Sequence, residues 1–184
     1  MDQAKPYDIP SAGFGRRNKR VKANRGAAGV DEQSIEMFET DLQSNLYKLW
    51  NRMSSGSYFP PPDKRVQIDK RDGGKRQLRI PTVSDRVAQA VVKGYLEPDL
   101  EKHFHPDSFG YPPGKSVLDA IGVARRCRPH PFVLDLDIRA HFDSISHELL
   151  LRASRKHTDC AWVLMYIERW LKVPVQMQDG TPEP

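Results

Sequence analysis

Apolar positions along the chain follow two periods, and each change of period marks an element. Ile35, Phe38, Leu42, Leu46, Leu49, Trp50 and Met53 recur at steps of three and four. That spacing predicts one amphipathic helix over residues 34–53, capped by Ser34 and ended by Ser54-Ser55-Gly56-Ser57. Tyr58-Phe59-Pro60-Pro61-Pro62 must then be extended, because each proline fixes its own φ and biases the residue before it away from the helix. Val66 and Ile68 on one arm, with Leu78 and Ile80 on the other, predict a hairpin whose tip is Asp72-Gly73-Gly74. A second helical stripe, Val87, Val91, Tyr95 and Leu96, predicts a helix capped at Ser84-Asp85 and running to about Lys102, with a kink or break at Pro98.

Ser116 caps a shorter helix through about Arg126, carrying Val117, Ala120, Ile121 and Ala124. Pro129 and Pro131 end it and lead into Phe132-Val133-Leu134-Asp135-Leu136-Asp137-Ile138, which alternates as a strand does. Leu134, Leu136 and Ile138 share one face; Val133, Asp135 and Asp137 share the other. One face is expected to be dry and the other to carry carboxylates. Ser146 opens a helix to about His157, and Asp159 opens another to Leu171 containing Trp162, Met165, Tyr166 and Trp170. Val173 to Met177 is expected as a last short strand before a turn at Asp179-Gly180. No repeat is visible. Helices mixed with an antiparallel hairpin predict an α+β fold rather than a regular βαβ series.

Composition narrows the classes. The 184 residues hold a net charge of +5 and 38% hydrophobic residues, and no apolar run approaches the roughly 20 residues of a membrane helix. The N-terminus lacks the apolar stretch of a signal peptide, and Cys127 and Cys160 stand apart without CxxC pairing, so a soluble protein of a reducing compartment is expected and a zinc ribbon is not. The charge is also localised. Residues 1–30 carry +5, from Lys5, Arg16, Arg17, Lys19, Arg20, Lys22 and Arg25 against Asp2 and Asp8, residues 64–79 carry another +5, and the remainder sums to −5. Two basic blocks on an acidic body suit a polyanion partner, since each phosphate neutralised releases counterions; a solvated tail and an exposed hairpin would show the same charges.

Asp137 ends the apolar strand and Asp143 lies six residues on. Carboxylates at a strand end beside a wet cleft can hold magnesium, which prefers oxygen ligands and shares its shell with phosphates; the alternative is that Asp135 and Asp137 form the solvent face of an edge strand. Gly110-Tyr111-Pro112-Pro113-Gly114-Lys115-Ser116 is not a P-loop, because the first glycine is one residue too close and two prolines offer no N–H to a phosphate. His103 and His105, at i and i+2 without a partner cysteine or an HExxH pattern, read as surface or packing residues.

Several segments together resemble the group II intron reverse transcriptases, the intron-encoded maturases. Asn24-Arg25-Gly26-Ala27-Ala28-Gly29-Val30-Asp31 resembles their opening block. Tyr58 to Pro62, Lys70-Arg71-Asp72-Gly73-Gly74-Lys75-Arg76-Gln77-Leu78-Arg79-Ile80-Pro81-Thr82 and Asp85-Arg86-Val87-Ala88-Gln89 resemble their fingers hairpin and the helix after it. Leu96-Glu97-Pro98 with Glu101 and Phe104, then Ser108-Phe109-Gly110-Tyr111-Pro112-Pro113-Gly114-Lys115-Ser116 with Ala120, resembles the next block. Leu136-Asp137-Ile138-Arg139-Ala140-His141-Phe142-Asp143-Ser144-Ile145-Ser146-His147 is similar to the block that holds the first catalytic aspartate.

The resemblance implies that Asp137 is a catalytic, metal-binding carboxylate and that the Ile138 carbonyl joins the magnesium shell. Phe142 would sit under the incoming sugar, and Lys70 and Arg76 would grip the triphosphate of the dNTP, where fixed cations lower the barrier to phosphoryl transfer. It further implies a basic RNA-binding arm at residues 1–30 (Arg16, Arg17, Lys19, Arg20, Lys22, Arg25), and fingers with an incomplete palm at 31–184. Pro112 and His141 depart from the family, which often has arginine and an aromatic ring there. Nothing matches the Tyr-x-Asp-Asp box that supplies the other catalytic carboxylates, so the chain alone is expected to be inactive. The implied function is RNA-directed DNA synthesis with maturase-assisted splicing and retrotransposition, in a bacterial-type cytoplasm, on intron RNA and an RNA template with a DNA primer. Self-association of an unfinished palm is a further expectation. The alternatives are an RNA-binding splicing cofactor without polymerase activity, or a related retroelement or CRISPR-associated enzyme.

Overall fold

The computed structural model describes residues 5–69, 73–110, 112–126, 132–177 and 182–183. The helices are α1 (Ala12–Asn24), α2 (Ile35–Thr40), α3 (Leu42–Ser54), α4 (Val83–Leu100), α5 (Val117–Arg126), α6 (His141–Ser144), α7 (His147–His157) and α8 (Ala161–Leu171), with a 3-10 turn at Glu101–His103. The strands are β1 (Asp63–Asp69), β2 (Lys75–Ile80), β3 (Val175–Gln176) and β4 (Pro182–Glu183). The fold is α+β, as expected. It divides into a first unit, Met1–Tyr95 with Thr158–Pro184, and a second, Leu96–His157.

Among the described residues, the buried apolar side chains all belong to the first unit. Phe14 and Val21 of α1, Phe38 of α2, Met53 of α3, Val83 and Val87 of α4, and Val163 and Tyr166 of α8 are almost wholly enclosed, and each such side chain contributes about 1.5–3 kcal/mol relative to exposure. The basic N-terminal stretch is thus a packed helix rather than a solvated tail. Phe14, Asn18 and Val21 recur on the inner face, which leaves Arg16, Lys19 and Arg20 exposed on the outer one. Lys22 pairs with Glu39 at 2.8 Å and fastens α1 to α2.

The helix expected over 34–53 is two helices. Ser34 caps it as predicted, its Oγ accepting from the Met37 N–H at 3.2 Å, but Asp41 leaves the helical region (φ −125, ψ 50). The break frees the Phe38 carbonyl, and the Asn45 side-chain amide donates to it at 2.9 Å. Asn45 competes locally with the backbone ladder, a known habit of short polar side chains. The apolar stripe continues across the break, which is why periodicity alone could not reveal it.

The two expected arms pair antiparallel, with Val66 opposite Leu78, Ile68 opposite Arg76 and Asp69 opposite Lys75; Asp72 of the expected tip lies outside the described residues. β3 adds parallel to β1, and the sheet order is β2-β1-β3-β4. The strand expected at Val173–Met177 is confined to Val175–Gln176; the turn expected at Asp179-Gly180, like Lys70 and Cys127, lies outside the described residues.

α4 starts earlier than Ser84-Asp85. Thr82 is its cap, with Oγ1 accepting from the Asp85 N–H at 3.2 Å. Pro98 does not break the helix. It withholds a donor from the Gly94 carbonyl, yet helical geometry runs to Leu100 and then tightens into the 3-10 turn. α8 begins at Ala161, after Cys160 rather than at Asp159, because the Cys160 N–H is taken by Thr158 Oγ1 at 3.2 Å.

The loop between α1 and α2 is pinned to the start of α4. Arg86 Nη2 donates to the Ala27 carbonyl at 2.7 Å, and Gly29 packs directly on Thr82. A Cβ at Gly29 would lie 2.7 Å from the Thr82 Cα and 2.8 Å from its nitrogen, and the obstacle is backbone that cannot swing away. Gly29→Ala should therefore lower unfolding free energy by about 2–3 kcal/mol in a urea titration, whereas Gly15→Ala, with open space around it, should not lower it.

In the second unit, Ser116 and Asp119 form a reciprocal cap for α5, the Asp119 N–H donating to Ser116 Oγ at 3.3 Å and the Ser116 N–H to Asp119 Oδ2 at 2.8 Å. Ser146 Oγ accepts from the Leu149 N–H at 3.3 Å and opens α7. The strand expected at Phe132–Ile138 is absent. The segment is without secondary structure, and both of its would-be faces are open, Leu134 and Leu136 at 81% exposure and Val133 at 96%. A strand exists only as a hydrogen-bonded partner of another, and among the described residues none pairs with this segment.

Candidate polymerase site

The residues singled out in the sequence fall into both units. In the second, Asp137 and Ile138 end the extended segment, Arg139 follows, and Ala140 takes a left-handed conformation (φ 51) that turns the chain into α6. Phe142 stands on that short helix, 81% exposed, with its ring 5.3 Å from that of His141. Asp143 is in the same helix. The Asp137 carboxylate and the Ile138 carbonyl are both hard oxygen donors on one exposed strip, a donor set that suits magnesium in kind. In number it falls short. Among the described residues no three His, Cys, Asp or Glu side chains are grouped to hold a metal ion, and two-metal nucleotidyl transfer needs carboxylates on both ions.

In the first unit, Arg76 lies on the exposed outer strand β2, opposite Ile68. The other face of the hairpin sets Arg65 directly across from Arg79. Two like charges at that spacing repel, and Arg65 is steadied by Gln77 Oε1 and by Met177 Sδ, the latter at 3.2 Å. Five of the seven cations of block 64–79, Lys64, Arg65, Lys75, Arg76 and Arg79, thereby sit on a two-stranded arm, a form suited to a phosphate backbone; Lys70 and Arg71 lie outside the described residues. Of the basic arm, Arg16, Lys19, Arg20 and Arg25 are exposed, Lys22 is engaged with Glu39, and Arg17 lies half-buried against Gly94 of α4.

One cluster escaped the sequence reading. Asp85, read as a helix cap, is 1% exposed and accepts three side-chain hydrogen bonds: from Tyr58 Oη at 2.7 Å, Trp170 Nε1 at 2.8 Å and Gln89 Nε2 at 2.8 Å. It joins the Pro-rich entry to β1, the first turns of α4, and α8. Burial pushes its carboxyl up, against the opposing pull of the bonds from Trp170, Tyr58 and Gln89. Burial, with the nearby Asp85 charge, also raises Asp63, opposed by Arg79, and burial beside Asp85 raises the Tyr58 phenol far above its usual value. The signal available in the sequence was the i, i+4 spacing of Asp85 and Gln89 on the buried stripe of α4. Arg86, between them, turns the other way to hold Ala27.

Comparison with known proteins identifies the family. Residues 68–183, well over half of the chain, match the family model of the reverse transcriptase (RNA-dependent DNA polymerase). The chain belongs to the reverse transcriptase family. Among its curated relatives, Protein YkfC of Escherichia coli is 32% identical over 78% of this chain and 39% of its own length. An uncharacterized 91 kDa protein in the cob intron of Schizosaccharomyces pombe is 31% identical over 72% of this chain and 16% of its own. The group II intron-encoded protein LtrA of Lactococcus lactis subsp. cremoris is 29% identical over 72% of this chain and 22% of its own. The chain thus spans well under half the length of these relatives. No helix among the described residues is long and apolar enough to cross a membrane.

Proposed function

We propose that the chain is the fingers and first palm portion of a group II intron-encoded reverse transcriptase, which binds intron RNA, assists its splicing and, in the complete enzyme, copies RNA into DNA for retrotransposition. The observation that carries this reading is the run of matched blocks across the family-matched region, ending in Asp137, together with relatives that are intron-encoded proteins. Asp137 and the Ile138 carbonyl would hold magnesium, whose part is to activate the primer hydroxyl and neutralise charge on the dNTP. Phe142 would bear on the incoming sugar. Lys70 and Arg76 would hold the triphosphate, and α1 with residues 1–30 would hold RNA, Arg16, Lys19 and Arg20 meeting phosphates from its outer face. The setting is cytoplasmic, with the protein associated with its nucleoprotein.

Fluorescence anisotropy of the chain with a structured group II intron segment and a length-matched unrelated RNA, across a salt titration, tests this. The intron RNA should bind more tightly, with the preference surviving added salt. Replacing Arg16, Arg17, Lys19 and Arg20 with alanine should weaken binding and reduce the salt slope by about one unit for each phosphate no longer neutralised. Equal binding of both RNAs that fades together would leave only general phosphate attraction, and an unchanged affinity in the variant would remove the arm from the interface.

A further inference from the structure

All six histidines of the chain fall between residues 103 and 157, within the second unit. Two of them, distant in sequence, meet there: the rings of His103, in the 3-10 turn, and His157, the last residue of α7, lie 5.0 Å apart between centroids with their planes at 61°. Both side chains are exposed. Neutral histidine rings can touch edge to face without further purpose, so the spacing must decide. In a tetrahedral zinc site the metal–nitrogen bonds are about 2.0–2.1 Å, which places each imidazole centre about 3.2 Å from the ion. At a tetrahedral angle two such centres stand about 5.2 Å apart. The observed pair is already at that separation.

We propose that His103 and His157 form a two-imidazole site for a transition-metal ion of the zinc class, with water completing the shell. The setting favours a cation. The C-terminal carbonyls of α7 direct their partial negative charge towards His157. Asp99, four residues before His103, carries a carboxylate 2.6 Å from Lys102 Nζ; that pairing offsets the ammonium closest in sequence to His103. Arg155 and Lys156, neighbours of His157 on α7, are the opposing charges. No residue of the second unit is buried among those described, so a metal joining its start to its end would supply a cross-link where a core is lacking, as small domains commonly require.

Isothermal titration of the tag-free chain with zinc chloride, at about pH 7.5, provides the test, together with hydrogen exchange before and after zinc. The expected result is one saturable site, weakened at least tenfold by His103→Ala or His157→Ala and unchanged by His147→Ala. Exchange should slow at residues 101–105 and 154–157 on zinc addition and in neither variant. Because both rings are exposed, the variants should keep the wild-type far-ultraviolet circular dichroism; His103→Gln and His157→Gln repeat the test without shortening the side chain. Absence of saturable zinc binding, or binding that the His103 and His157 variants leave intact, would overturn the proposal.

Discussion

Truncating Asp85 to alanine should remove about 3–5 kcal/mol of unfolding free energy, enough to unfold a domain of ordinary marginal stability. The carboxylate is enclosed and serves as common acceptor for Tyr58, Trp170 and Gln89. Its removal strands the buried Tyr58 hydroxyl and the half-buried Trp170 and Gln89 donors at once, from three separate segments. Asp85→Asn keeps one oxygen for Tyr58 and Trp170 but turns an N–H towards the Gln89 amide, so a smaller loss of about 1–2 kcal/mol is expected. Urea unfolding followed by tryptophan fluorescence measures both, since Trp170 reports on the site directly. Equal stability of Asp85→Ala and wild type would mean that the three donors find other partners.

The same residue sets a pH dependence opposite to the usual acid denaturation. Asp85 and Asp63 both have carboxyls raised above their ordinary values, chiefly by burial. A group whose folded value is raised binds protons more readily in the folded state, so ionising it costs stability. That cost is absent below the ordinary carboxylate value and grows as pH climbs through the raised folded one. As pH falls from neutrality towards the ordinary carboxylate range, the thermal midpoint should rise where these carboxyls take up their protons, and Asp85→Asn should flatten that slope. A midpoint that falls steadily over that range in the wild type would contradict the assignment.

Legibility in the sequence followed whether an element is determined locally. The hairpin was readable because alternating apolar positions flank a Gly-Gly turn signal, a pattern confined to neighbouring residues. Ser34, Ser116 and Ser146 were readable because a cap is a contract between residues three apart. The break at Asp41 was not, since Asn45 reaching for Phe38 leaves the apolar stripe unchanged. Asp85 was misread for a related reason: an aspartate near a helix start resembles a cap, and only the approach of Tyr58 and Trp170, distant in sequence, shows where the carboxylate points. The strand at 132–138 failed in the opposite sense. Its alternation is strong, but a ladder requires a partner, and pairing is a property of two segments. The matched blocks carried the family correctly. Asp137, Ile138, Phe142 and Arg76 could each be singled out within a matched block, but no local pattern encodes the contacts that would bring them together.

That dependence gives the catalytic prediction its form. In the complete polymerase, Asp137→Ala should lower cDNA synthesis by about a thousandfold or more, while intron RNA binding stays close to wild type. In this chain the residue is exposed and no described residue of its unit is buried, so circular dichroism of the variant chain should be unaltered. A metal ligand acts mainly on the transition state, where charge moves onto phosphoryl oxygens. The change should therefore appear in kcat, with little effect on KM for the dNTP. Arg76→Ala, removing a cation proposed to hold the triphosphate, should instead raise KM. Asp135→Ala, two residues away with the same charge, separates the two readings of the acidic strip: a small effect fits a solvent-facing aspartate beside a metal ligand, whereas equal loss at both positions would mean the strip acts only as a pool of negative charge. Full synthesis by Asp137→Ala would remove the residue from the chemistry and, with it, the assignment of this segment as the polymerase's first carboxylate site.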